Sequence, residues 1–165
     1  MRKVRLLICI VFSFFCATSV LAQKKEIAAA KDQVKSGSNL TQAQASMEKL
    51  LKDSANHRNL KIWNVLYESI RKQYEQGNEK LYLKQAYDTA TLFNLTRQLF
   101  SVAQRMDSVE MIPDEKGKIR IEFRKQHAEY LGKIRTNLYT GGLWFVRKQK
   151  YADAYNQLDQ YLNCA

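Results

Sequence analysis

The chain has 165 residues, of which 27 are lysine or arginine and 16 are aspartate or glutamate, so its formal net charge is +11. Its single proline and three cysteines exclude a proline-rich low-complexity chain and a disulfide-rich scaffold. The length is that of one domain, and a domain of this size can bury enough apolar surface to fold by packing alone.

The N-terminal segment has the composition of a secretory signal. Three basic residues occur within the first five positions, residues 6–15 are almost wholly apolar, and Val20-Leu21-Ala22 places compact side chains before a cleavage point. We therefore expect residues 1–22 to be a signal peptide, which indicates the periplasm of a Gram-negative bacterium or another exported location. An uncleaved membrane anchor is the alternative, although the apolar run is short for a span. Cleavage would lower the net charge from +11 to +8 and leave Cys164 as the single cysteine, without a partner for an internal disulfide.

Residues 23–165 predict an all-α domain of about seven helices. Apolar residues recur every three or four positions, and alternating patterns typical of strands are scarce. The first helix is expected from about Lys24 to Lys35, followed by Gly37 in the positive-φ conformation that often ends a helix. The second helix carries its apolar residues at helical spacing, namely Ala43, Met47, Leu50 and Leu51.

Two longer helices are predicted next. The third contains Trp63 within a run of apolar positions and is expected to end near Gly77. The fourth is expected to begin near Asn78 and to carry a continuous apolar stripe over residues 92–109.

The fourth helix is expected to stop before Pro113 and Gly117, because proline lacks the amide hydrogen that a helix interior needs. A fifth helix is predicted from about Lys118 to Leu131, although residues 118–123 alternate between polar and apolar side chains as a strand would. The last residues, 135–165, predict a closing pair of helices.

The closing pair resembles one unit of the tetratricopeptide repeat (TPR) family. The residues that carry the resemblance are small at Gly142 and Ala154 and large around them, at Leu138, Phe145, Tyr151, Leu158 and Tyr161. Small residues would let the two helices approach closely, and Leu138, Phe145, Leu158 and Tyr161 would fill the gaps around that contact. The resemblance implies a TPR-like α-hairpin solenoid, in which each helix pair covers the apolar face of its neighbour.

A similar local pattern occurs at three places and favours repetition along the chain. Leu40-x-x-Ala43, Leu83-x-x-Ala86 and Tyr151-x-x-Ala154 each place a large apolar residue and then a small one where the second helix of a pair is predicted to begin. The intervals between these places are irregular, so a generic helical bundle is the alternative fold.

The closing unit has no polar capping helix after it, which leaves Tyr161 and Leu162 without a predicted neighbour. We therefore expect the chain to be the N-terminal portion of a longer protein. The alternative is a natural short product whose last helix packs back on the body.

Catalytic and metal-binding motifs are not apparent. His57 lies in a polar linker, and His127 stands among charged residues rather than in a set of spaced metal ligands. We therefore expect no enzyme activity, no cofactor and no bound metal. A catalytic domain beyond Ala165 is the alternative.

The resemblance implies a non-catalytic protein–protein interaction scaffold or adaptor of the bacterial cell envelope, with a protein or peptide as partner. Proteins of this family line a concave groove largely with the first helix of each pair. The candidate partner-binding residues in this sequence are therefore Asn64, Glu68, Arg71, Asn137, Tyr139 and Arg147.

Basic residues are concentrated in the last third of the chain and are interleaved with aromatic ones. A basic surface of this kind is typical of nucleic-acid binding in the cytoplasm, but the predicted signal peptide argues against nucleic acid as the partner. The alternative function is therefore a cationic helical module that binds anionic glycans or lipid surfaces.

Overall fold

The computed structural model describes residues 22–164, which form seven α-helices joined by loops, with no strand among them. The helices are α1 (residues 22–36), α2 (Leu40–Leu50), α3 (Leu60–Tyr82), α4 (Thr89–Glu110), α5 (Arg124–Ile134), α6 (Thr136–Arg147) and α7 (Tyr151–Asn163). A short 3₁₀ turn, Ser54–Asn56, precedes α3. The all-α prediction is thus confirmed. The predicted signal peptide, apart from residue 22, lies outside the described residues.

The central helix of the fold is α4, which packs against α3, α5, α6 and α7. Its apolar stripe is buried as predicted, with Leu92, Leu95, Leu99, Val102 and Met106 all inaccessible or nearly so. Residues three or four apart lie on one face of a helix, so this spacing gives α4 one continuous apolar side. The helix begins where the carboxylate of the preceding residue accepts backbone N–H groups from its first turn.

The most extensive contacts between helices occur in three pairs that are consecutive in the chain: α2 with α3, α3 with α4, and α6 with α7. Close approach of α6 and α7 depends on Gly142, as predicted. A Cβ atom at this position would lie 2.5 Å from Cδ2 of Leu158, so the leucine occupies the space that a side chain would need. On the inner side of the pair, the ring of Phe93 similarly lies against Gly141.

The predicted boundary between the third and fourth helices is wrong. Helix α3 continues through Gly77 to Tyr82, and α4 begins only at Thr89. Gly77 does not end a helix; it is buried, and a Cβ atom there would lie 2.5 Å from the ring of Tyr87. The helix ends instead at Leu83 and Lys84, with Lys84 in the positive-φ region at 55°.

This boundary also removes one of the three similar patterns. Leu83 and Ala86 lie in the exposed loop between α3 and α4, and they do not open the second helix of a pair. The Leu40 and Tyr151 patterns do begin helices, at the first residues of α2 and α7. The pattern at Leu83 therefore does not mark a repeated helix pair in this fold.

The predicted start of the fifth helix is also wrong. Residues 118–123 are exposed for the most part and irregular, and α5 begins at Arg124. Acidic side chains bind the backbone N–H groups of this segment: Asp114 accepts from Lys116 and Lys118, and Glu110 accepts from Glu122 and Phe123. Because these donors are satisfied without helical hydrogen bonds, the segment folds as a loop.

Within residues 22–164, no helix combines the length and the apolar character that crossing a membrane requires.

Candidate functional site

The six candidate partner-binding residues lie on two helices, three on α3 and three on α6. On α3, Arg71 forms an ion pair with Glu68 at 2.9 Å and a longer one with Glu75 at 3.7 Å. Its guanidinium also stacks over the ring of Tyr130 of α5, at 5.5 Å from the centroid. Tyr130 of α5 therefore partly covers Arg71, whose side chain is 25% exposed, and the side chain of the paired Glu68 is 22% exposed. Asn64 is half-buried on the same helix.

On α6, the three candidates face different directions. The side-chain amide of Asn137 donates a hydrogen bond of 2.7 Å to the hydroxyl of Tyr74, which ties α6 to α3. The ring of Tyr139 lies 5.7 Å from that of Tyr161, on the side towards α7. Arg147 is exposed in the last turn. Since residues two apart in a helix point to nearly opposite sides, Asn137 and Tyr139 cannot belong to one contact face.

Helices α3 and α5 enclose a cluster of aromatic and polar side chains beside Arg71. The ring of Tyr67 lies 3.9 Å from the imidazole of His127, which also stacks on Phe123 at 5.8 Å. The hydroxyls of Tyr67 and Tyr130 are buried without a hydrogen-bond partner among residues 22–164. Burial raises the pKa of both tyrosines above the usual range, so the hydroxyls stay protonated and can act as hydrogen-bond donors.

Burial also shifts the pKa values of two further groups in this cluster. It lowers the pKa of His127, an effect that Glu110 opposes and Arg71 reinforces. The imidazole is consequently neutral at pH 7. Burial raises the pKa of Glu68, while the adjacent Arg71 acts in the opposite direction. The cluster has no arrangement of nucleophile and base among its described residues.

A second candidate surface, which sequence analysis only touched on, is an apolar face of the α6–α7 helix pair. Six large side chains are exposed on it: Tyr139 (46%), Leu143 (37%), Val146 (43%), Tyr151 (66%), Tyr155 (69%) and Leu162 (73%). We call this set the α6–α7 face. In both helices the members are spaced three, four or seven residues apart, which places them in one stripe per helix.

Helical geometry places both stripes on the side of the pair that points away from α4, because Gly141 and Gln157, which contact Phe93 of α4, lie on the other side of their helices. Each stripe flanks the contact between Gly142 and Leu158 that joins the helices. The opposite side of the pair is attached to α4, where the buried side-chain amide of Gln157 donates to the carbonyl of Phe93 at 2.9 Å. The sequence signal for this face was the uncovered end of the closing unit. Leu162 is indeed exposed, whereas Tyr161 is partly covered by Arg135, 4.7 Å from its ring centroid.

The third feature is a cleft of about 330 Å³ between α4 and α5, which we call the α4–α5 cleft. Its lining is apolar or small in the middle, with Phe100, Ala103, Ala128, Leu131 and Gly132. Its polar lining residues are Gln104, Asp107, Glu110, Arg124, His127, Arg135 and Cys164. The volume lies within the range of small-molecule sites, about 300–1,000 Å³.

Glu110 is the least accessible charged residue of the cleft, at 2% exposure. One carboxylate oxygen, Oε1, accepts the N–H groups of Glu122 and Phe123 at 2.8 and 2.9 Å. The other, Oε2, is buried and has no hydrogen-bond partner among residues 22–164. The nearby Arg124 is bound through two nitrogens to Asp107, so it does not serve Glu110.

Metal ligation finds no support in this part of the chain. Within the described residues, no three side chains of histidine, cysteine, aspartate or glutamate are grouped closely enough to hold an ion.

No protein-family model matches the chain, and neither does any curated protein or any solved structure.

Proposed function

We propose that this chain is a non-catalytic, TPR-like scaffold of the bacterial cell envelope, which binds a protein partner through the α6–α7 face. The observation that carries the proposal is this uncovered apolar face, which follows directly on a buried and well-packed helix pair. The partner we infer is an amphipathic helix or helix pair of another protein, because its apolar stripe would complement the two stripes of α6 and α7.

The size of the face supports a binding role. At about 200 Å² per large side chain, the exposed fractions of its six members correspond to at most roughly 650 Å² of surface, which includes three tyrosine hydroxyls. The largest apolar patch on a typical monomer is about 300–600 Å² and is often functional, so a face of this size suits a binding role. A standard interface takes about 800 Å² from each partner, so a ring of polar contacts around this face would complete one.

The arrangement of the helices is compatible with a short solenoid. A hairpin in a solenoid is covered on both sides by its neighbours, and α6–α7 has α4 on one side only within the described chain. The partner helix would occupy the position of the next hairpin. Tyr139, one of the predicted partner-binding residues, belongs to this face.

The charge at one end of the face favours an acidic partner. Arg147, Lys148 and Lys150 are exposed around the turn between α6 and α7, beside Val146 and Tyr151. Such charges accelerate association with an oppositely charged protein more than they strengthen the final complex.

The test is site-specific crosslinking in envelope extract with the double variant Tyr155→Ser, Leu162→Ser. We expect it to lose the crosslinked partner that the unmodified protein captures, since both changed side chains are among the most exposed of the face. The matched control is Tyr82→Ser, because Tyr82 is 85% exposed but lies at the end of α3. Circular dichroism should show equal helicity in all three proteins.

Equal capture by the double variant and the control would contradict the proposal. The alternative function is binding of anionic glycans or lipid surfaces by a basic surface. The salt dependence of binding distinguishes it from the proposed function. A partner held by apolar contacts stays bound from low to moderate ionic strength, whereas binding to an anionic surface weakens steeply over that range.

A further inference from the structure

We propose that the α4–α5 cleft is a binding site for a primary ammonium group carried on a short apolar body. The inference rests on the buried, half-satisfied carboxylate of Glu110 and on the open, small-residue lining beside it. It is independent of the α6–α7 face, so either proposal can fail without the other.

No cationic side chain among residues 22–164 donates a hydrogen bond to Oε2 of Glu110. A buried charge without a partner is costly, and such groups are normally paired or hydrogen-bonded. Oε1 has two backbone donors, but Oε2 has none. Arg124 is engaged by Asp107, and a neutral His127 brings no positive charge.

An ammonium group suits the single unpartnered oxygen, Oε2, better than a guanidinium group does. A guanidinium binds a carboxylate best through two parallel hydrogen bonds, which need both oxygens. Here Oε1 is already occupied by the N–H groups of Glu122 and Phe123. An ammonium is compact and has three rotatable donors. One would serve Oε2 of Glu110, and a second would serve the acceptor nitrogen of the neutral His127 imidazole, which also lines the cleft.

The rest of the cleft suits an alkyl or aryl-alkyl body. Phe100, Ala103 and Leu131 provide an apolar wall. Ala128 and Gly132 leave space on the α5 side, and a Cβ atom built on Gly132 would meet nothing within 4 Å. Both residues are exposed, so the cleft opens to solvent. Oε2 of Glu110 is itself buried, so an ammonium group reaches it only when the side chains around it shift.

The ammonium group has two possible sources: a free amine, or the lysine side chain of a protein. The probes are therefore n-hexylammonium, its neutral analogue n-hexanol, and Nα-acetyl-lysine methylamide. Binding is followed by the backbone amide NMR signals of Glu122 and Phe123, whose N–H groups donate to the same carboxylate. We expect n-hexylammonium to shift both signals in a saturable manner and n-hexanol to leave them unchanged. If the lysine derivative binds as well as n-hexylammonium does, the source is a lysine side chain; if it does not bind, the source is a free amine.

The deciding variant is Glu110→Gln, which keeps an oxygen for the two backbone donors but removes the charge. We expect roughly tenfold or greater loss of n-hexylammonium affinity, as for the loss of a hydrogen bond to a charged group. The matched control is Glu115→Gln in the exposed loop that follows α4, which should bind within about twofold of the unmodified protein.

A second variant tests the site without touching the carboxylate. Ala128→Leu fills the cleft from its exposed α5 side. It should abolish the shifts of the Glu122 and Phe123 amide signals while the protein remains helical. If Glu110→Gln does not fold, this variant tests the proposal in its place. Equal binding of n-hexanol and n-hexylammonium, or unchanged affinity in the folded Glu110→Gln and Ala128→Leu variants, would overturn the proposal.

Discussion

At the scale of single residues, two glycines that both lie inside helices have different roles. Gly142 is a packing residue, since Cγ and Cδ2 of Leu158 lie 2.6 and 2.5 Å from where its Cβ atom would be. Gly132 also lies within a helix but faces open space. A glycine of the second kind only weakens its helix, because it loses more backbone freedom on folding than alanine does.

These two positions give opposite predictions for the same substitution. Gly142→Ala should lower the free energy of unfolding by about 1–3 kcal/mol, because Leu158 or the α6 backbone must move. Gly132→Ala should raise it by about 0.5–1 kcal/mol through helix propensity. Urea denaturation of both variants measures the difference. A destabilised Gly132→Ala variant would show that the cleft side of α5 is more crowded than the structure indicates.

At the scale of elements, acidic side chains at the two ends of α4 accept backbone N–H groups. Asp88 caps α4, with its carboxylate accepting from Ala90 at 3.3 Å and from the N–H and the hydroxyl of Thr91 at 3.0 and 2.6 Å. Glu110, at the other end of α4, serves the segment that leads into α5. Side chains at the two ends of α4 thus bind the backbone at the start of α4 and before the start of α5.

We predict that Asp88→Ala lowers the free energy of unfolding by about 0.5–2 kcal/mol, the usual contribution of an N-cap. The hydrogen bonds from Thr91 lower the pKa of Asp88, so the cap is present above the pKa of the unfolded chain, about 4, and is lost as the pH falls below it. The control Asp32→Ala, an exposed position within α1, should change stability by less than about 0.5 kcal/mol. Thermal melts at neutral and acidic pH test both statements; an Asp88→Ala variant as stable as the control would refute the capping role.

At the scale of the whole molecule, His127 connects three helices. Its ring packs on Tyr67 of α3 and on Phe123 before α5, and its electrostatic neighbours are Glu110 of α4 and Arg71 of α3. Burial, reinforced by Arg71 and opposed by Glu110, lowers its pKa below the value of about 6.5 in an unfolded chain. The folded state therefore binds a proton less readily than the unfolded state does.

Stability should consequently fall as the pH drops from about 6.5 towards the lower pKa of the folded protein, by at most about 1.4 kcal/mol per pH unit for one proton. His127→Gln should remove this part of the pH dependence, because the neutral amide does not titrate. The exposed His57, changed to glutamine, is the matched control and should keep the unmodified profile. The same carboxylates, Glu68 among them, are present in all three proteins, so the difference between their urea denaturation curves reports mainly on His127. Identical pH profiles for His127→Gln and the unmodified protein would show that His127 does not cause this pH dependence of stability.

Much of the fold was predictable because the relevant signal is local. The apolar stripe of α4 is periodic in the sequence, and all of its predicted central positions are buried. Gly37 was predicted to follow α1 with positive φ and does so, at 70°. The errors at Gly77 and at residues 118–123 have a different origin, since Tyr87 and Glu110 act on those positions from ten or more residues away.

The candidate sites likewise combine features that the local sequence predicts with features that depend on distant contacts. Arg71 and Glu68 were identified as polar residues on a first helix, but no periodic pattern could reveal that Tyr130 of α5 partly covers Arg71. The α6–α7 face was foreshadowed by the uncovered Leu162. The α4–α5 cleft could not be foreseen, because its unpartnered carboxylate follows from the way a loop folds back on Glu110.

Helical periodicity, which depends on residues three and four apart, was enough to predict an all-α protein and the buried side of α4. The end of α3 and the start of α5, and the apolar and charged groups left without a neighbour, could be found only in the folded structure. These outcomes depend on contacts between residues distant in the chain, and such contacts exist only once the helices have packed.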